Sequence, residues 1–247
     1  MSFGTLESRC PGRSWYAVLW WLFCAHSVRV ILYFFCRLHI FGRKNIPATG
    51  PIIFISNHQS NLDPMICGAA TTLRPGRPFA KESLFRFPLG ILIRSFGALP
   101  VKGGGRDKTV MRLAVQVLDA GRTVSIFPEG SRTFDGQMTS FKPGIGILLK
   151  RGKACVVPMA VEGAFDAWPR GSRPRFGSCV ECEVGLPIEH DELMKDGVSP
   201  ALRRLEEEVD RLRLKCRERI RARTGGRLPA SGPGDHPFSL EHGGEAK

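Results

Sequence analysis

Histidine and aspartate stand five residues apart in Asn57-His-Gln-Ser-Asn-Leu-Asp63, and such a pair can build a general base. On one continuous helix the two side chains would point about 140° apart. They meet only if a turn intervenes, with His58 on a loop and Asp63 where a helix begins. Asp63-Pro64 supports that break, because it reads as an N-cap followed by proline at the first helical position. A carboxylate near a helix N-terminus is favoured in its charged form. From there it can accept the Nδ1 proton of His58 and leave Nε2 free to take a proton from a substrate. On geometry alone, a satisfied loop histidine beside an ordinary N-cap fits the same residues.

A second cluster, Phe127-Pro-Glu-Gly-Ser-Arg-Thr133, also follows an apolar run. Arg132 can clamp a phosphate with two parallel N–H groups, and Gly130 lets backbone approach a ligand closely. Glu129 either hydrogen-bonds a hydroxyl or holds the arginine. A turn with a surface ion pair reads equally well. No G-x-S-x-G elbow and no G-x-x-x-x-G-K-[ST] loop occurs, so neither that serine hydrolase class nor a P-loop NTPase is supported. A His/Asp pair lacking its own nucleophile suits a reaction whose nucleophile is a substrate hydroxyl.

The elements that position these residues can be read from pattern. Pro51–Ser56 is a continuous apolar run, as expected of a strand buried on both faces. Pro78–Lys81, Ala98–Val101, Thr123–Phe127, Cys155–Val161 and Val180–Val184 are further strand candidates. Between them Leu84–Phe96, with Pro88 near its start, Asp107–Ala120 and Pro143–Lys150 are expected to be helical. Leu202, Leu205, Val209, Leu212, Cys216 and Ile220 mark one face of a long amphipathic helix. Strand–helix alternation predicts an α/β fold, a mostly parallel sheet covered by helices. Both clusters then sit at the carboxyl ends of strands, where open α/β sheets bind ligands. We expect a membrane-associating helical segment over 1–41, the α/β domain over 42–224, and a disordered tail over 225–247, which is rich in Gly, Pro and polar residues.

The N-terminal segment carries two apolar runs, Trp15–Ala25 and Val30–Cys36, separated by His26, Ser27 and Arg29. It reads as a spanning helix, a monotopic helix or hairpin with aromatic rings at head-group depth, or a core helix; its aromatic density favours membrane attachment. A formal charge of +13 asks for an anionic partner. With no nucleic-acid module and no basic stripe, an anionic membrane surface or a phosphate-bearing substrate is preferred to nucleic acid. Eight scattered cysteines read as free thiols of a reducing compartment, and Cys179-x-x-Cys182 has no second half-site to complete a metal centre.

Taken in order, the blocks Asn57–Asp63, Gly97–Val101, Phe127–Arg132 and Val157–Val161 resemble those of the 1-acylglycerol-3-phosphate acyltransferase family over about residues 42 to 222. Lys81 and Lys142 also match positions common in that family. The resemblance implies that His58 deprotonates the acceptor hydroxyl with Asp63 orienting it, and that the alkoxide attacks the thioester of acyl-CoA or acyl-carrier protein. It implies that Asn57, Glu129, Gly130, Ser131 and Arg132 line the acceptor site, with Lys81 and Lys142 adding positive potential. No metal or other cofactor is implied. Lysophosphatidic acid, acylated at its sn-2 hydroxyl to phosphatidic acid, is the expected acceptor, at the cytoplasmic face of a membrane. Another lyso-lipid, glycerol 3-phosphate, or a catalytically silent membrane-binding role are the alternatives. One departure stands out: Gly103 occupies the place of an arginine common after the second block, which leaves Lys102 and Arg106 to supply that charge.

Overall fold

A computed structural model describes residues 9–87, 89–95, 98–101 and 108–238 of the chain. At its centre Ile52–Ser56 forms strand β2, with all five residues buried. Ile53 and Ile55 pack into one core with Leu118, Leu148 and Leu205, whereas Ile52 and Phe54 pack into another with Ile66, Val157 and Met159. A strand covered on both faces needs apolar side chains at successive positions, hence the unbroken run.

The remaining strands are β1 (His39–Phe41), β3 (Arg77–Lys81), β4 (Leu99–Val101), β5 (Thr123–Ile126), β6 (Cys155–Glu162) and β7 (Glu181–Val184). They form one sheet in the order β1-β7-β6-β2-β5-β3-β4, parallel throughout except where β7 runs antiparallel to β6. The chain leaves β2 to build β3 and β4, then returns so that β5 fits between β2 and β3. That return sets the loop after β5 beside the loop after β2. The helices are α1 (Trp15–Cys36), α2 (Asp63–Ala70), α3 (Leu89–Ser95), α4 (Lys108–Asp119), α5 (Ile145–Gly152), α6 (Ala164–Ala167), α7 (His190–Met194) and α8 (Val198–Thr224). Residues of α4, α5 and α8 cover one face of the sheet, and those of α1 and α2 cover the other. The α/β architecture is the expected one.

Four details depart from the sequence reading or decide between its alternatives. The stretch from Leu84 splits into a 3₁₀ turn over Glu82–Phe85 and then α3. A proline lacks the N–H that a helix interior uses and is accommodated at a helix start. The two N-terminal apolar runs form one unbroken helix, not a hairpin. His26 and Arg29 interrupt the apolar sequence only because they point outward from α1. Val18, Trp21, Ala25, Leu32 and Cys36 form its buried stripe, and Trp21 Nε1 donates to Thr72 O at 2.8 Å. The boundary at residue 41 also fails, because His39–Phe41 is itself an edge strand paired with Glu181–Glu183.

The fourth detail is the tail. Residues 225–238 are packed, not disordered, and residues 239–247 lie outside the described ones. Arginines of α8 organise them. Arg213 donates to Gly234 O at 2.5 Å and His236 O at 3.0 Å, and Arg217 to Ala230 O at 2.7 Å and Asp235 Oδ1 at 2.6 Å. Composition could not show this, because the donors belong to another element. Arg213 is fully buried and also holds Asp210. We expect Arg213→Ala to cost roughly 3–5 kcal/mol, since it strands a buried carboxylate and two carbonyls. Denaturant unfolding measures the loss, and limited proteolysis should then cut between residues 228 and 238.

Candidate active site

His58 follows β2 on a loop, and Asp63 is the first residue of α2. Leu62, not Asp63, holds the N-cap position. The Asp63 carboxylate turns back instead. Its Oδ2 accepts His58 Nδ1–H at 2.7 Å, Gln59 N–H at 2.6 Å and Ser60 N–H at 2.7 Å. Three donors on one oxygen fix the loop, and in the neutral imidazole they favour the Nδ1–H tautomer, which makes Nε2 the acceptor. Asp63 is wholly buried, while the His58 side chain keeps 17% of its surface open. The ring lies stacked on Phe127, 4.2 Å between centroids at 17°. A base with one nitrogen anchored and the other facing outward results.

The Phe127–Thr133 loop is lashed to this one. Glu129 is buried, and its Oε1 accepts the His58 backbone N–H at 2.6 Å. Its Oε2 accepts both the N–H and the hydroxyl of Thr139, at 3.0 and 2.8 Å. Thr133 N–H returns a bond to His58 O at 2.9 Å, and Arg132 donates to Asn61 Oδ1. Glu129 therefore neither reaches toward a substrate hydroxyl nor holds Arg132. Burial raises its carboxyl to about 7 against the pull of those hydrogen bonds. Asn57 is also placed otherwise than expected: its amide donates to Val161 O and accepts from Val161 N, both at 2.8 Å, tying β2 to β6.

The open positions are fewer. Gly130 turns the loop at φ +70°, where a Cβ would come within 2.5 Å of the Lys142 ammonium, so Lys142 lies across this glycine. Ser131 and Lys142 are exposed and Arg132 half-buried beside them. Lys81 ends β3 at the same edge of the sheet. Lys102, Gly103 and Arg106 lie outside the described residues. Sequence reasoning missed Asn61, Thr139 and a buried chain behind the histidine, in which Gln59 Nε2 donates to Glu162 Oε2 at 3.0 Å and Arg217 to Glu162 Oε1 at 2.6 Å. Asn61 was visible inside its motif; the others are joined only by folding.

A family model described as "Acyltransferase" matches residues 37–162, which contain both loops. The chain belongs to this family. Among curated relatives it is 31% identical over 150 residues to the chloroplastic 1-acyl-sn-glycerol-3-phosphate acyltransferase of Arabidopsis thaliana, covering 58% of this chain and 41% of that protein. It is 30% identical over 174 residues to the mouse (Mus musculus) 1-acyl-sn-glycerol-3-phosphate acyltransferase alpha, covering 67% of this chain and 59% of that protein. The match thus spans less than two thirds of either relative. The solved 1-acyl-sn-glycerophosphate acyltransferase of Thermotoga maritima superposes with a TM-score of 0.67 at 24% identity, over 87% of this chain and 82% of that one. That likeness speaks for the fold. Within the family fold, hydrogen bonds from His58 to Glu129, Thr133 to His58 and Arg132 to Asn61 join the two loops, and Lys142 lies across Gly130 of the second.

Proposed function

We propose that this chain is a membrane-surface O-acyltransferase that moves a fatty acyl group from a thioester donor to the sn-2 hydroxyl of 1-acylglycerol-3-phosphate, giving phosphatidic acid. The carrying observation is the anchored imidazole. Among the described residues no serine, threonine or cysteine hydrogen-bonds to His58 Nε2, so the nucleophile comes from the substrate. His58 removes the proton as the acceptor oxygen attacks the thioester carbon. The tetrahedral intermediate then expels the thiolate, which takes the same proton back from His58. Arg132, assisted by Lys142, holds the acceptor phosphate, and Asp63 orients and stabilises the imidazolium. The names of the relatives support this acceptor. The donor is acyl-CoA or acyl-carrier protein.

Attachment to the membrane is supported by α1, which is long and apolar enough to cross one but is buried along a stripe from Val18 to Cys36. Its other side exposes Trp15, Tyr16, Leu19, Trp20, Phe23, Ile31 and Phe34. Trp20 Nε1 donates to Ser95 Oγ at 3.0 Å, bringing up α3 with exposed Ile91 and the neighbouring Phe87. A helix docked lengthwise on its domain lies in the interface and does not span it. The eight free thiols suit the cytoplasmic side.

The test is an acyl-transfer assay in neutral detergent, with both donors and with lysophosphatidic acid, glycerol 3-phosphate and lysophosphatidylcholine as acceptors, read by mass spectrometry. We expect phosphatidic acid from the first. Transfer to another acceptor alone moves the assignment, and folded protein inert toward all of them sinks it. In that assay Arg132→Ala should raise the acceptor KM roughly tenfold or more while leaving the donor KM nearly unchanged. Arg132→Lys should recover little, because an ammonium cannot fork. Equal effects on both substrates would assign Arg132 to the Asn61 contact alone.

A further inference from the structure

Arginines are distributed unevenly in this molecule. On α8 the six from Arg211 to Arg223 are each ion-paired with a carboxylate. At the amino ends of β3 and β5 a second group gathers. Arg9, Arg13, Arg77 and Arg122 line one cleft together with Cys10, Pro11, Pro75 and Thr123. Among the described residues no carboxylate pairs with Arg9, Arg77 or Arg122. Arg122 instead donates to Pro11 O at 2.9 Å and Gly12 O at 3.5 Å, and the buried Nε of Arg77 has no partner. Burial lowers the pKa of Arg13 and of Arg77, and each is lowered further by neighbouring arginines, Arg122 being common to both. Packing Arg9, Arg77 and Arg122 together is unfavourable unless an anion joins them.

The position of the cleft says which anion. His58 and Arg132 lie past the opposite ends of β2 and β5, and β5 alone, with four residues at about 3.3 Å each, separates the two ends by about 13 Å. The cleft is thus not part of the acceptor site. It adjoins the start of α1: Arg13 lies 5.8 Å over the ring of Trp21 and precedes exposed Trp15 and Tyr16 by two and three residues. Indole and phenol rings settle at head-group depth, where lipid phosphates lie.

From this juxtaposition we propose that Arg9, Arg13, Arg77 and Arg122 form a second anionic site that takes the phosphate of a membrane lipid head group and sets the amino end of α1 on the bilayer. The proposal rests on the membrane attachment argued above, and the experiment separates the two. Full-length protein is floated with phosphatidylcholine vesicles and with vesicles carrying about 30 mol % phosphatidylglycerol, which give the leaflet its negative surface potential. Wild type should bind the anionic vesicles more tightly. Arg77→Gln, which removes no side-chain hydrogen bond to another described residue, should cut that gain roughly fivefold, and Arg77→Gln/Arg122→Gln about thirtyfold. Binding to neutral vesicles should hold, as should acyl transfer in neutral detergent, and the double lysine variant should keep most of the gain. If the double glutamine variant keeps the gain, the site is wrong. If wild type floats with neither vesicle, the membrane reading itself fails and takes the site with it. Stabilisation by millimolar inorganic phosphate over chloride at equal ionic strength, lost in the double variant and without a vesicle gain, assigns the cleft to free phosphate and overturns the lipid.

Discussion

His58→Ala should lower turnover by about 10²–10⁴-fold with folding intact, the range that general-base catalysis contributes. The side chain is partly open, and although its Nδ1 bond to the buried Asp63 is lost, that carboxylate keeps the Gln59 and Ser60 amides, so the fold should survive at some cost in stability. Asp63 is a different matter, because its carboxylate also carries the Gln59 and Ser60 amides. Asp63→Ala should therefore damage both the fold of the loop and the rate, whereas His58→Ala should cost less stability and act chiefly on the rate. Steady-state kinetics beside denaturant unfolding makes the comparison. More than a tenth of wild-type turnover retained by His58→Ala would remove it as the base.

Glu129→Ala should lower kcat by about 10²-fold while moving the acceptor KM little, because a displacement near 1 Å at the base costs that much. Glu129 touches the backbone of His58, not the substrate, so this separates a positioning residue from a phosphate-site residue; a change confined to the acceptor KM would return Glu129 to the substrate. Its titration offers a second readout. Burial raises the carboxyl from its usual 4.5 to about 7, so the folded protein binds this proton more tightly than the unfolded chain does. Glu129 thus makes stability fall as pH climbs from about 4.5 to 7. Glu129→Gln should flatten that slope in unfolding experiments across the same window.

What could be read from the sequence was what local chemistry settles. The His58–Asp63 pair fits within five residues, and proline at 64 marks the break that lets the two meet. The buried centre of the sheet was legible because β2 needs apolar residues on both faces. Glu129 and Asn57 were misplaced for one shared reason. Their partners, the His58 amide and the Val161 backbone, lie 71 and 104 residues away and become neighbours only through strand order. An acidic or amide side chain in a motif suggests a ligand until the backbone group it serves is known. The tail failed likewise, its order coming from guanidinium groups on α8. The edge strand β1 has three residues and no alternation to announce it.

The way α1 is seated has a practical corollary. Leu32, Cys36 and Leu38 belong to the same core as Ile52, Phe54 and Ile66, and His39–Phe41 closes the sheet edge. Trimming the chain at residue 41 would strip one face of the sheet, opening a contiguous apolar surface of the kind that drives aggregation. A cut at residue 41 is then expected to yield an aggregating fragment, and a proteolytic nick there should unfold the domain instead of freeing it intact. Soluble variants have to be sought by recolouring the outward side of the helix, at Trp15, Leu19, Phe23 and Phe34, with its inward stripe left alone.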